Sequence, residues 1–178
     1  PLIVTRRQVD GVVRLMGDIE WTHGAAHCPL PWVSVLYDVP GIDLVTVDNH
    51  AGARAVGRHV CDAGHRRIAF IGPDTDLARE RLAGLRVAAA EAGAEVPDSL
   101  VHLRRYVASD RPTLALLDRI IPSKQDGDSL PFTALVAYND YMAALAIQRL
   151  RERGWAVPEE VGVAGFDGIL PGWYTETS

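Results

Sequence analysis

The sequence predicts an α/β fold in which parallel sheets are wrapped by helices, and two observations support this prediction. Between residues 48 and 167, patterns typical of helices alternate with short apolar runs typical of buried strands. Capping and stop residues, mainly Asn, Asp, Gly and Pro, fall between these patterns. Such regular alternation is typical of a parallel sheet with helical crossovers.

Three apolar runs open the chain. Residues 9–15, 32–37 and 43–47 predict strands, whereas residues 18–28 show no clear pattern. The first residues contain neither an initiator Met nor a signal-peptide layout, so we expect the native beginning to lie upstream.

Four further strands alternate with four helices in the rest of the chain. The strands are predicted at residues 67–71, 100–103, 133–138 and 161–165. The first helix follows Asp48 and Asn49, which can cap it, and should bury one face consisting of Ala55, Val56, His59 and Val60. The second is predicted at residues 79–92 with an apolar stripe of Leu82, Leu85, Ala89 and Ala92. The third starts near Asp110 and Pro112, and the fourth follows Asn139 and Asp140.

Composition and charge exclude several classes of protein. With 178 residues, 48% hydrophobic and 23% charged, the chain can bury a substantial core. No apolar run approaches the ~18 residues of a membrane span. The net charge of -5 has the wrong sign for a phosphate-binding surface, so the chain should not hold DNA by itself. Cys28 and Cys61 are too few for a disulfide framework and are interpreted as reduced thiols of a cytosolic protein.

Polar side chains follow two successive strands of the predicted sheet. Asn139 comes after the strand at residues 133–138, and Asp167 comes after the strand at residues 161–165. Because ligands bind beyond the carboxyl ends of parallel strands, these two side chains should point into one crevice.

Six motifs occur along the chain: VDG at 9–11, VDN at 47–49, GHRRIAFIG at 64–72, RERLAGL at 79–85, YND at 138–140 and VPEEVGVAGFD at 157–167. In this order they resemble the effector-binding core of the lactose-repressor (LacI/GalR) family. The resemblance implies a periplasmic-binding-protein type I fold, in which two α/β lobes close on a small molecule, often a sugar or nucleobase. It also implies a homodimer that binds operator DNA through an N-terminal headpiece, which nothing in this chain resembles.

The resemblance also sets the expected domain organisation. Residues 1–47 would form an incomplete first lobe, residues 48–167 the second lobe, and residues 168–178 a crossover back toward the first. The family's opening strand and helix, and the strands that return to the first lobe, have no counterpart here.

The same resemblance marks Asp38 and Arg81 as ligand contacts. Asp38 precedes Val-Pro-Gly, where an aspartate is more often a turn former, but its place after a strand matches an acidic contact of the family. Arg81 lies in RLAG at the position of the family's effector-binding arginine, and we expect it in the first helical turn. A guanidinium offers paired donors that lysine cannot copy, and Arg79 is the second choice for this role.

Three further residues complete the predicted ligand site. Asn139 is either a helix cap or a ligand contact, and we expect Asp140 to cap the helix and leave the Asn139 amide for a ligand. Asp167 in GFDG is either a solvated turn residue or a cleft residue, and the resemblance favours the cleft. Tyr106 either stacks on the effector, as an aromatic residue does in the family, or packs as a half-buried side chain.

Metal, cofactor and catalytic sites receive little support. His23, His27 and Cys28 lack a convincing fourth ligand, so their spacing is attributed to chance. No glycine-rich nucleotide motif or nucleophile elbow is present, and we expect no cofactor. The sequence therefore predicts a cytoplasmic effector sensor. A solute-binding protein of a sugar transporter is the alternative, and a sugar-modifying enzyme is the third reading.

Overall fold

The computed structural model describes residues 9–15, 30–105, 111–125 and 127–169. The chain divides into two compact units, Pro1–Asp48 and Asn49–Ser178. Each unit contains its own sheet, and every strand pairing within the described residues is parallel. The predicted α/β class with parallel sheets is therefore confirmed.

The first unit contains a sheet of three short strands. These are β1 (Val12–Arg14), β2 (Trp32–Val35) and β3 (Asp43–Val45), in the order β1-β2-β3. Ser34 of the central strand is fully buried, and its hydroxyl donates a 2.6 Å hydrogen bond to the carbonyl of Tyr37. This bond holds the turn that follows β2, in which Leu36 adopts a left-handed backbone with φ 72°.

The second unit contains a four-stranded sheet between two pairs of helices. The strands are β4 (Ile68–Pro73), β5 (Val101–Arg104), β6 (Ala134–Ala137) and β7 (Gly162–Ala164), in the order β5-β4-β6-β7. The helices are α1 (Asn49–Asp62), α2 (Asp76–Glu91), α3 (Arg111–Ile120) and α4 (Asp140–Glu152), and a 3₁₀ turn spans Asp98–Leu100. Strands and helices alternate as predicted.

The core of the second unit lies on both faces of this sheet. Along β4, Ile68 and Phe70 face one side together with residues of α1 and α2, including Val60 and Leu85. Ala69 and Ile71 face the other side, where α3 and α4 contribute residues such as Leu117 and Leu150. Strands β4 and β6 are buried at every position, which explains why they read as continuous apolar runs rather than alternating ones.

Small residues let α1 and α2 approach each other closely. A β-carbon on Gly57 would lie 2.8 Å from the β-carbon of Ala88, and one on Gly84 would collide with the carbonyl oxygen of His50. The buried face of α1 consists of Asn49, Ala53, Gly57, Val60 and Cys61. The predicted face was right for Val60, which is buried, and for Val56, which packs partly buried against the core, and wrong for Ala55 and His59, which are exposed. A small residue is required only where the two helices approach most closely, as at Gly57.

Helix α2 begins three residues earlier than the pattern predicts. The Thr75 hydroxyl accepts a hydrogen bond from the amide of Ala78 and caps the helix, and Asp76 adds favourable charge to its first turn. Arg81 therefore lies in the second turn, and the expectation that it lies in the first was wrong. Of the predicted stripe, Ala92 is exposed, whereas Leu82, Leu85 and Ala89 are buried.

We expect Gly84→Ala to destabilise the protein, although the same change in an exposed helix stabilises by up to ~1 kcal/mol. The new methyl group would meet backbone atoms of α1, including the Arg54 nitrogen at 3.0 Å, and these atoms cannot rotate away. Urea denaturation should show a loss of about 1–3 kcal/mol in the free energy of unfolding, as for other overpacked positions. Ala90→Ser on the exposed side of α2 is the control, and a stabilised Gly84→Ala protein would contradict the packing described.

Candidate functional site

Arg81 is the centre of a polar cluster at the carboxyl edge of the four-stranded sheet. It projects from α2 and is 5% exposed, which makes it the one buried charged residue among those described. Around it lie Tyr138, which follows β6, and Phe166 and Asp167, which follow β7. Elements far apart in the chain thus meet at the edge where parallel sheets bind ligands.

Three N–H groups of Arg81 donate to three different partners. Its Nε donates to Oδ1 of Asn49 at 2.8 Å, and one terminal nitrogen, Nη1, donates to the carbonyl oxygen of Tyr138 at 2.6 Å. The other, Nη2, donates to Oδ1 of Asp167 at 2.8 Å and forms an ion pair. These three bonds fix the plane of the guanidinium. Because a guanidinium carries five N–H donors, further donors remain on the two terminal nitrogens.

Two aromatic rings complete the surroundings of the guanidinium. The central carbon of Arg81 lies 3.8 Å from the centroid of the Phe166 ring and 4.4 Å from that of the Tyr138 ring. Both distances are within the range of cation–π attraction, which becomes stronger when water is excluded. The rings therefore stabilise the charge and restrict the rotation of the Arg81 side chain.

Asp167 presents its carboxylate from a left-handed backbone conformation. Its φ is 92°, a region that residues other than glycine rarely adopt, although Asp and Asn tolerate it best. The Asp167 side chain is 29% exposed, whereas that of its partner Arg81 is 6% exposed. The pair therefore has a buried cationic side and an anionic side that solvent can reach.

Asn139, and not Asp140 as expected, caps α4. The side-chain oxygen of Asn139 accepts a 3.0 Å hydrogen bond from the amide of Met142 and caps α4. Asp140 instead accepts a hydrogen bond from the amide of Ile169 at 2.8 Å. The prediction that Asp140 caps the helix was wrong, because its carboxylate holds the turn after β7. The Asn139 cap occupies its oxygen and orients its amide nitrogen.

The other predicted contacts lie elsewhere. Asp38 is an exposed residue after β2, within the first unit. Tyr106 lies outside the described residues. Arg79, the second choice, is exposed and forms an ion pair with Asp74. The structure thus joins Arg81 and Asp167 directly and places Asn139 next to Tyr138, whose carbonyl oxygen binds Arg81.

Sequence reasoning missed Asn49, Tyr138 and Phe166 as parts of this cluster. Asn49 was interpreted only as a helix cap, although the structure shows its oxygen bound to Arg81. The two aromatic residues directly precede predicted site residues, in Tyr138-Asn139 and Phe166-Asp167. That adjacency was the available signal, because a residue next to a strand-end ligand lies at the same edge of the sheet.

Other kinds of site find no support in the described part of the chain. No group of three His, Cys, Asp or Glu residues there could hold a metal ion, and no helix there is long and apolar enough to cross a membrane. His23, His27 and Cys28 lie outside the described residues. Cys61 is a free thiol in the core, and burial raises its pKa, so it is poorly suited to nucleophilic chemistry.

Comparison with known proteins relates this chain to a family. Residues 58–175 match the family described as periplasmic binding protein-like domain. Over 94% of its length the chain is 30% identical to HTH-type transcriptional regulator DegA of Bacillus subtilis (strain 168). The match covers 50% of DegA, so the chain spans half the length of this relative.

Two solved structures of transcriptional regulators are also similar to this chain. The chain is 28% identical to a sugar-binding transcriptional regulator (LacI family) from Escherichia coli complexed with phosphate, with a TM-score of 0.71. That likeness covers 98% of this chain and 63% of the other. A complex of the transcriptional regulator CelR with cellobiose is 30% identical, with a TM-score of 0.71, and the likeness covers 91% of this chain and 50% of that one.

The left-handed backbone at Asp167 leads to a prediction about substitutions there. Asp167→Ala and Asp167→Gly both remove the carboxylate, but alanine also bears the steric cost of this conformation, about 1–2 kcal/mol. We therefore expect urea denaturation to find Asp167→Gly more stable than Asp167→Ala by about 1 kcal/mol, less than the full cost because glycine loses more entropy on folding. Asp167→Asn, which tolerates the conformation, isolates the loss of charge. An alanine variant at least as stable as the glycine variant would show that the backbone at 167 is not left-handed.

Proposed function

The chain belongs to the periplasmic binding protein-like domain family, as its motifs predict, and from this premise we propose that it is the effector-binding core of a LacI-type transcriptional regulator. The small molecule that it senses is a sugar, bound at the Arg81 cluster. The names of its relatives support regulation, because DegA is an HTH-type transcriptional regulator and the Escherichia coli structure is a sugar-binding regulator of the LacI family. They favour this function over that of a transporter's solute-binding protein.

The Arg81–Asp167 pair is the observation on which the proposal rests. A sugar presents adjacent hydroxyl groups, each of which both donates and accepts hydrogen bonds. The pair offers both partners side by side, since the terminal nitrogens of Arg81 donate and the partly exposed carboxylate of Asp167 accepts. Asn49, Tyr138 and Phe166 hold the guanidinium in place beforehand, so binding a sugar costs little ordering of this side chain.

Three other residues belong to the proposed site. The Asn139 amide nitrogen would donate to a sugar oxygen while its oxygen caps α4. Asp38 would contribute an acceptor from residues 1–47, taken as the first lobe, and Tyr106 would stack on the sugar ring. Residues 48–167 form the second lobe in this proposal, and residues 168–178 cross back toward the first.

The remaining parts of the proposal concern the whole regulator. A homodimer would bind operator DNA through an N-terminal headpiece, in keeping with the HTH-type names of its relatives and with the acidic charge of this chain. The protein would act in the cytoplasm and bind the sugar without transforming it. The sugar alters DNA affinity only if it binds two arrangements of the protein unequally, through a coupling of typically about 1–3 kcal/mol.

Replacing Arg81 by lysine tests the proposed site. Lysine keeps the positive charge but cannot donate to Asn49, Tyr138, Asp167 and a hydroxyl in one plane. A thermal-shift screen with glucose, galactose, arabinose and cellobiose, and with adenine as the nucleobase, would first identify a binding compound. Titration calorimetry with that compound should then show affinity reduced at least about tenfold in Arg81→Lys, a loss of ~1.4 kcal/mol.

Arg79→Lys is the matched control, because Arg79 lies on the same helix but is exposed and paired with Asp74. Its affinity for the same compound should equal that of the unmodified protein. Unchanged affinity in a folded Arg81→Lys protein would exclude the Arg81 cluster as the binding site.

A further inference from the structure

The first turn of α1 contacts the Arg81 cluster in two independent ways. Asn49 is the first residue of α1 and of the second unit, directly after the division at Asp48. It is only 2% exposed, and its side-chain oxygen accepts the hydrogen bond from Nε of Arg81. A buried amide oxygen in this position is costly to leave without a donor.

The second contact is apolar and uses the absence of a side chain at Gly52. A β-carbon there would lie 2.7 Å from the tip of the Phe166 ring, so the ring packs directly on the backbone of α1. The same ring stacks on the Arg81 guanidinium at 3.8 Å. Phe166 is therefore held between the first turn of α1 and Arg81, and it directly precedes Asp167.

These contacts make Arg81 the link between two segments. Its Nε binds the start of α1, and its Nη2 binds Asp167 after β7. Because a guanidinium is planar and rigid, a shift that changes one of these bonds changes the direction of the other. A rearrangement of Arg81 thus changes its hydrogen bonds to both Asn49 and Asp167.

We propose that Arg81 couples the carboxylate of Asp167 to the first turn of α1, with Asn49 and Phe166 acting as positioning residues for its guanidinium. The proposal deepens the proposed function: a sugar that draws the terminal nitrogens of Arg81 toward itself alters the hydrogen bond at Asn49. Occupancy of the site is then transmitted to the residue that begins the second unit. The start of α1, next to the division at Asp48, thereby responds to the bound sugar.

A double-mutant cycle without any sugar tests this coupling. Asn49→Ala and Asp167→Asn are made singly and together, and their effects on the unfolding equilibrium constant are measured in urea. If Arg81 needs both Asn49 and Asp167 to keep its position, each substitution has a smaller effect on the unfolding equilibrium constant once the other is present. We expect the double variant to differ from the product of the single effects by at least about threefold, which is more than independent sites show.

Two controls isolate the role of Arg81. In an Arg81→Met background, the effects of the same two changes on the unfolding equilibrium constant should multiply, because Arg81 no longer joins the two positions. Arg54 lies on α1, like Asn49, and its side chain forms an exposed ion pair with Glu91 of α2. The effect of Arg54→Ala on the unfolding equilibrium constant should therefore multiply with that of Asp167→Asn. Multiplicative effects of Asn49→Ala and Asp167→Asn in the presence of Arg81 would overturn the proposal.

Hydrogen exchange gives a second measurement that does not require the double variant to fold. In Asp167→Asn alone, the amides of residues 53–55, which close the first turn of α1, should exchange at least about twofold faster. The amides of residues 60–62 at the far end of α1 should keep their rates. Equal rates in the first turn with and without the Asp167 charge would also overturn the coupling. Since neither measurement uses a sugar, a failure of sugar binding at this site would be seen separately.

Discussion

A guanidinium that is only 5% exposed is tolerated in the protein because protein groups replace the water it has lost. Asn49, Tyr138 and Asp167 supply oxygens to Arg81, and two aromatic rings cover its faces. The three oxygens come from three different segments of the second unit. The position of one buried charge therefore constrains the start of α1 and the ends of β6 and β7.

Close packing of helices makes this arrangement possible. Gly57 and Gly84 let α1 and α2 approach each other, which brings Asn49 of one helix within hydrogen-bond distance of Arg81 of the other. Gly52 leaves room for the Phe166 ring that covers the guanidinium. Larger side chains at these glycines would separate the helices, and Arg81 would lose partners that it needs to remain buried. Core packing and the polar site are thus parts of one structure.

The sequence alone predicted the fold class and the strand ends at which polar residues meet. Periodicity was sufficient for this, because buried parallel strands are short apolar runs and helices carry capping residues. The resemblance drew attention to Arg81 and Asp167, and the structure places the two in direct contact. Their role in binding a sugar stays a prediction.

Details that depend on tertiary contacts were beyond the sequence. The face of α1 was only partly predicted, because α2 packs against α1 at Gly57, a residue that an apolar pattern does not mark. The helix cap was assigned to Asp140 instead of Asn139 because both can cap a helix, and only the turn after β7 decides between them. Asn49 was missed for a similar reason, since its partner lies 32 residues away and only the packing of two helices joins them.

A crystal structure of the protein with the sugar that raises its melting temperature most would test the central claim directly. The account predicts sugar hydroxyl oxygens within about 3.2 Å of a terminal nitrogen of Arg81 and of the Asp167 carboxylate. A sugar bound elsewhere, with the Arg81–Asp167 pair intact and not in contact with it, would contradict the account.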